Sequence, residues 1–320
     1  MPRLSTPLLG LLALSGVLLT SSVDAAQLQY FQLSKGTAPQ AIAPLDDGQL
    51  WYATGNGALA RFDPKRGEGE QVSLGSGSKP SAVIAGDGGE AWVADRGLNA
   101  IVRVDPQRLG AEVVALPPQA NDAELDSLAM DDDGALWFTG EHGFYGRLDP
   151  HSRQVQVWKT PTGKSADGLA VTPDGQVWFA SRDDNSLNEI DPSAGSVTRF
   201  EAPTPHSGPQ RLAADSIGRL WITQPDSGQL ARFDPSDHHW KSWKLPGTQA
   251  QPVAIYVDAM DRVWLSDAQS HSLLRFDPQR ERFTRLAGDA AATGALQLSG
   301  RPGEVWGAET GSDRLLVIRD

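Results

Sequence analysis

Six histidines and no cysteine set the acid–base repertoire of this chain. Thiol nucleophiles, disulfides and thiolate metal sites are therefore excluded. His142, His206 and His271 are the candidates for proton transfer, and His142 has Glu141 beside it in the stretch "GEHG". An imidazole titrates near neutrality, so each could act as a general base. The alternative is a solvated loop histidine at each position. Carboxylates form a second set. Asp126, Asp167, Asp267 and Glu309 could hold a hard cation such as Mg²⁺ or Ca²⁺, which takes oxygen ligands. The alternative is an acidic rim whose members stand too far apart to share an ion. Gln40, Ser81, Asp95, Gln210 and Gln224 complete the polar candidates, as ligand-binding groups.

What must position these residues is a repeat. Trp51, Trp92, Trp137, Trp178, Trp221, Trp264 and Trp306 recur every 41 to 45 residues. An Asp-Pro pair follows the first six by about a dozen residues. A period near 42 is that of a four-stranded propeller blade. Each unit reads as a short apolar strand, a tight turn, the Trp strand, a loop, an alternating strand and an outer strand. Six units place Gly three residues before the Trp, and Asp261 holds that place in the sixth; both tolerate the positive φ of a hairpin turn. Helical periodicity is absent. The reading is all-β: a seven-bladed β-propeller with four-stranded blades. The seventh unit lacks its outer strand. The alternating stretch "QLQYFQL", 27–33, is expected to supply it by pairing with the strand around 315–318, which closes the ring and protects its edges. The tryptophans, at one fixed strand position per blade, read as core.

Strand direction sorts the candidates. The loop entering the first strand and the loop leaving the Trp strand share one face, where ligands converge on a propeller's channel. His142, His206 and His271 belong to that face. His151, His238 and His239 follow Asp-Pro turns and belong to the other.

Composition narrows the partners. The chain has 320 residues, with 28 Lys and Arg against 40 Asp and Glu, a formal net charge of −12. Such a surface repels phosphate backbones, which argues against nucleic acid. The first 25 residues read as a secretory signal: Arg3, an apolar run from Leu8 to Leu19, and Val23-Asp24-Ala25 at the cleavage site. The run is short for a membrane span, and nothing later could cross a bilayer. The expected mature protein, residues 26–320, is periplasmic or secreted and is a monomer by default.

The blade "DGLAVTPDGQVWFASRDDNSLNEIDPSAGSVTRFEAPTP" resembles those of the streptogramin (virginiamycin) B lyases, and the resemblance runs through the whole mature chain. It implies a seven-bladed propeller and Mg²⁺-dependent opening of a cyclic depsipeptide at its ester by elimination. It also implies a histidine that takes the proton α to the carbonyl, and glutamates that bind the metal. The lyase histidines directly follow the blade-opening proline. Here that position holds Gln40, Ser81, Asp126, Asp167, Gln210, Val253 and Gly294, and none is His. Of the glutamates three residues after the Trp, Glu309 remains. Three functions stay open. One is a module that binds a small molecule or protein through an acidic loop face. The second is a metal-dependent lyase or lactonase-like enzyme with displaced catalytic residues. The third is an envelope scaffold.

Overall fold

The computed structural model describes residues 27–286 and 297–319. The expected signal segment and Gly294 lie outside them. Seven four-stranded antiparallel sheets form the ring, each a consecutive run of four strands except the last. In the third blade the strands run Leu125–Met130, Leu136–Gly140, Phe144–Leu148 and Val155–Lys159, from channel to rim. The seventh sheet takes its outer strand from the other end of the chain. Gln27–Gln32 pairs with Arg314–Arg319 over six residues, from Gln27 opposite Arg319 to Gln32 opposite Arg314. The expected closure is therefore the observed one. It gives the seventh blade the fourth, outer strand that the other six blades draw from their own units.

The turn before each Trp strand needs a positive φ, and all seven have it. Gly48, Gly89, Gly134, Gly175, Gly218 and Gly303 lie between 77° and 92°, and Asp261 adopts 57°. Across the blade, a second left-handed residue closes the loop after the Trp strand in every unit. It is Gly57, Asn99, Gly143, Asn185, Gly228, His271 and Asp313 in turn. Gly adopts αL freely, and Asn, Asp and His are the side chains found there most often. On the opposite face, the aspartates of the Asp-Pro turns accept backbone N–H groups two or three residues ahead. Those bonds lower the carboxyls of Asp105, Asp149 and Asp277 from their ordinary value, and at Asp191 and Asp234 the hydroxyls of Ser193 and Ser236 do most of the lowering, with the backbone bonds adding to it.

The seven tryptophans are buried to within 3%. Each packs where two blades meet: Trp306, for example, shares a cluster with Ile42, Tyr52 and Phe62 of the first blade. The core is thus a ring of interblade wedges around an axial channel. Among the described residues no helix is long and apolar enough to cross a membrane.

Candidate functional site

The innermost strands carry the device that aims side chains into the channel. In blades one, two, three and six their pairing register slips by one residue, between Pro39 and Ala41, Pro80 and Ala82, Leu125 and Ser127, and Pro252 and Ala254. The extra residue at each bulge is Gln40, Ser81, Asp126 or Val253. A bulged residue escapes the alternation of the strand and can be re-aimed. All four line a cavity of about 570 Å³ at the mouth of the channel. Gln210 lines it from blade five.

Asp126 is the electrostatic centre. It is 4% exposed. A buried carboxylate costs several kcal/mol unless it is paired, and two arginines pair it. Arg211 of blade five reaches past blade four and grips Asp126 with both terminal nitrogens, Nη1 on Oδ2 and Nη2 on Oδ1, the latter at 3.0 Å. Burial works against the charge on Arg211, yet Asp126 holds its pKa above the ordinary value. Small neighbours make the crossing possible. Ser127 and Gly168 occupy the same register in blades three and four as Arg211 does in blade five. A Cβ on Gly168 would fall 2.5 Å from the Gln210 carbonyl oxygen and 2.7 Å from the Arg211 Cα. Arg96 of blade two approaches Asp126 from the other side, with Nη2 3.6 Å from Oδ1.

Asp167 sits beside this network but faces a loop. Its Oδ2 accepts the Arg182 N–H at 2.8 Å and the Ser165 hydroxyl at 2.7 Å. Burial pushes its carboxyl up to about 6, against those two hydrogen bonds, and the nearby Asp126 charge adds to the rise.

The other expected acids are ties between loops. Asp95 accepts the N–H groups of Lys79 at 2.8 Å and Leu98 at 3.0 Å, and the Ser78 hydroxyl. Asp267 accepts those of Gln251 at 2.7 Å and Gln269 at 3.1 Å, and the Ser270 hydroxyl. Glu309 accepts Arg314 Nη2 at 2.8 Å and the Ser312 hydroxyl at 2.8 Å. Gln224 donates to Ser207 Oγ at 2.9 Å. All four stand three residues after the Trp. There they fasten the outgoing loop or join it to the incoming one, and none of them lines the cavity. The expected acidic rim is thus spent on loop structure. For Asp95 and Asp267 the reason is reach: a short carboxylate at that strand end lies among backbone N–H groups that need an acceptor.

The histidines are on the expected face but apart from one another and from the cavity. His142 is half exposed, its Nδ1 3.0 Å from the Asp122 carbonyl oxygen. His206 and His271 are exposed turn residues with φ of 52° and 49°. Glu141 turns away from His142 toward Arg96, with Oε1 3.4 Å from Nη2.

The divalent ion that the resemblance implies finds no fitting donor set. Among the described residues no three His, Asp or Glu side chains gather for one ion. Asp126 already faces guanidinium groups, as does Glu309, and Asp95 and Asp267 are occupied by backbone N–H groups. Instead the cavity wall holds Lys79, Arg96 and Arg211 against Asp126 alone. Sequence reasoning missed all three cations. The signal for Arg211 was the small residue at the same register in the two preceding blades.

A model of the virginiamycin B lyase family matches residues 26–312. Compared by sequence with curated proteins, the chain matches none. The structure is similar to virginiamycin B lyase from Staphylococcus aureus, with a TM-score of 0.85 at 20% identity over 92% of this chain and 99% of that one. A streptogramin B lyase structure gives 0.84 at 19% identity, over 92% and 97%. The extracellular domain of BT4673 from B. thetaiotaomicron gives 0.72 at 16% identity, over 91% of this chain and 42% of that one. At these identities the solved structures establish the shared propeller. Because the family model spans nearly all of the described chain, the chain belongs to the virginiamycin B lyase family.

Proposed function

We propose that this protein is an exported, monomeric binding propeller that takes a small ligand into the mouth of its channel. The observation that carries the reading is the 570 Å³ cavity on the axis, walled by polar bulge residues and an Arg–Asp–Arg network. A cavity of that size suits a drug-sized molecule. Export rests on the N-terminal segment and agrees with the extracellular domain among the similar structures.

The test is a thermal-shift screen of a small-molecule library against the mature protein and a channel-narrowing variant. Val253→Trp suits this purpose, because Val253 is a bulge residue on the cavity wall and makes no side-chain hydrogen bond that would be lost. Ligands of the channel stabilise the parent and lose that effect in the variant. Hits that act equally on both refute the reading.

Family membership supports a second reading, the lyase. Streptogramin B incubated with the mature protein and Mg²⁺, with and without chelator, distinguishes the two. Elimination leaves the mass unchanged and alters retention and fragmentation. Chelator-sensitive ring opening would favour the lyase, with His142, His206 and His271 as the first residues to replace. No opening leaves the binding reading as it stands.

A further inference from the structure

The charge on the cavity wall is the reverse of the charge on the protein. The chain carries a formal −12, yet the wall carries three cations and one carboxylate. Of the two arginines, Arg211 is committed: both of its terminal nitrogens are bound to Asp126. Arg96 is not. Its terminal nitrogens lie 3.4 Å from Glu141, 3.6 Å from Asp126 and 3.9 Å from Glu124. Charge-assisted N–H···O bonds are about 2.7–2.9 Å long, so none of the three is a close pair. Its Nε is buried and has no hydrogen-bond partner among the described residues. The one hydrogen bond of its terminal nitrogens is the long one to Glu141 at 3.4 Å, so this guanidinium on the cavity wall can exchange that partner for a closer planar oxyanion. Beneath it the wall turns apolar. Leu128, Leu169, Leu212 and Ile255 line the cavity two residues further along the innermost strands, about 7 Å deeper.

We propose that the ligand of this channel is a carboxylate with an apolar body, its head on Arg96 and its body on the leucine collar. The proposal rests on the channel being the binding site. Glu141 is the resident competitor: it is exposed, its contact with Arg96 is long, and an incoming carboxylate displaces it. The guanidinium does here the charge recognition that a divalent ion would do elsewhere, which is consistent with carboxylates that are already occupied.

The test is isothermal calorimetry on the full mature protein with a matched pair of probes, 4-phenylbutyrate and its neutral amide. The acid is expected to bind at least tenfold more tightly than the amide. Arg96→Met should bring the acid down to the amide's affinity. Glu141→Gln should tighten the acid about fivefold, as expected for removing one partly screened like charge, and leave the amide unchanged. Because Glu141 is exposed, that variant stays folded even if Arg96→Met does not. Acid and amide binding alike, both weakened by Val253→Trp, would overturn the carboxylate assignment while the channel reading stands. Binding that ignores Val253→Trp would overturn both. No measurable heat from the acid at millimolar concentration, or discrimination retained in Arg96→Met, would also overturn the assignment.

Discussion

Replacing Phe31 with Ala tests whether the N-terminal strand holds the ring shut. Phe31 lies opposite Leu315 in the seventh sheet. Its ring stacks on Trp306 at 5.7 Å and 19°, and meets Phe62 of the first blade edge-on at 5.4 Å and 74°. It therefore packs at the point where the last blade joins the first. A fully buried Phe→Ala costs about 3–5 kcal/mol. Phe31 is only half-buried, so a loss of about 2–3 kcal/mol is expected, part of it from the two aromatic contacts at ~0.5–1.5 kcal/mol each. Urea denaturation reads this as a lower midpoint with an unchanged slope, because the surface exposed on unfolding is nearly the same. The control is Val113→Ala, on the rim strand of the second blade and 51% exposed, which should stay within about 0.5 kcal/mol of the parent. If Phe31→Ala is as neutral as that control, the strand contributes nothing to closure and the reasoning fails. Amide exchange gives an independent check: Leu33 donates its N–H to Asp313, so by the alternation of an antiparallel ladder Gln29 and Val317 form a hydrogen-bonded pair, and their N–H groups should be protected together.

Two further outcomes concern the site. Gly168→Ala should destabilise by about 2 kcal/mol or more, because its Cβ would press on backbone atoms of blade five that cannot give way. Gly110→Ala, with nothing within 4 Å and no positive φ, should be neutral in the same denaturation assay. Asp167→Asn should flatten the pH dependence of stability. The Asp167 carboxyl is raised to about 6 in the folded state, so between roughly pH 4 and 6 the native protein holds more protons than the unfolded chain. Stability therefore falls as pH rises through that window, by up to about 3 kcal/mol. The variant should be the more stable protein at pH 7 and should lose that advantage below about pH 4. An unchanged gap across the window would mean that Asp167 does not titrate there.

The fold was legible because its signals recur. A Trp at one strand position, a Gly three residues earlier and an Asp-Pro turn fix strand, hairpin and direction in the same way in each unit. The missing outer strand of the seventh unit then has one alternating segment to take its place. Even the exception follows the rule: Asp261 adopts the φ that glycine adopts in the other six blades.

The site was legible only to the level of a face, because a side chain's direction there depends on relations between blades. Asp95 and Asp267 read as members of a rim at the channel mouth, but backbone N–H groups of neighbouring loops take their carboxylates and neither lines the cavity. Nothing in their spacing from the Trp reveals that. Arg211 shows the same limit from the other side. It follows the position that spacing singles out, and its partner Asp126 lies two blades away. The bulge in blade three turns Asp126 inward, and Ser127 and Gly168 leave room for the guanidinium to cross. Each of these residues is ordinary within its own blade. Only when the innermost segments of blades three, four and five are set side by side do the small residues and the long one fall in a row, and that row puts cations on the wall of an acidic protein's channel.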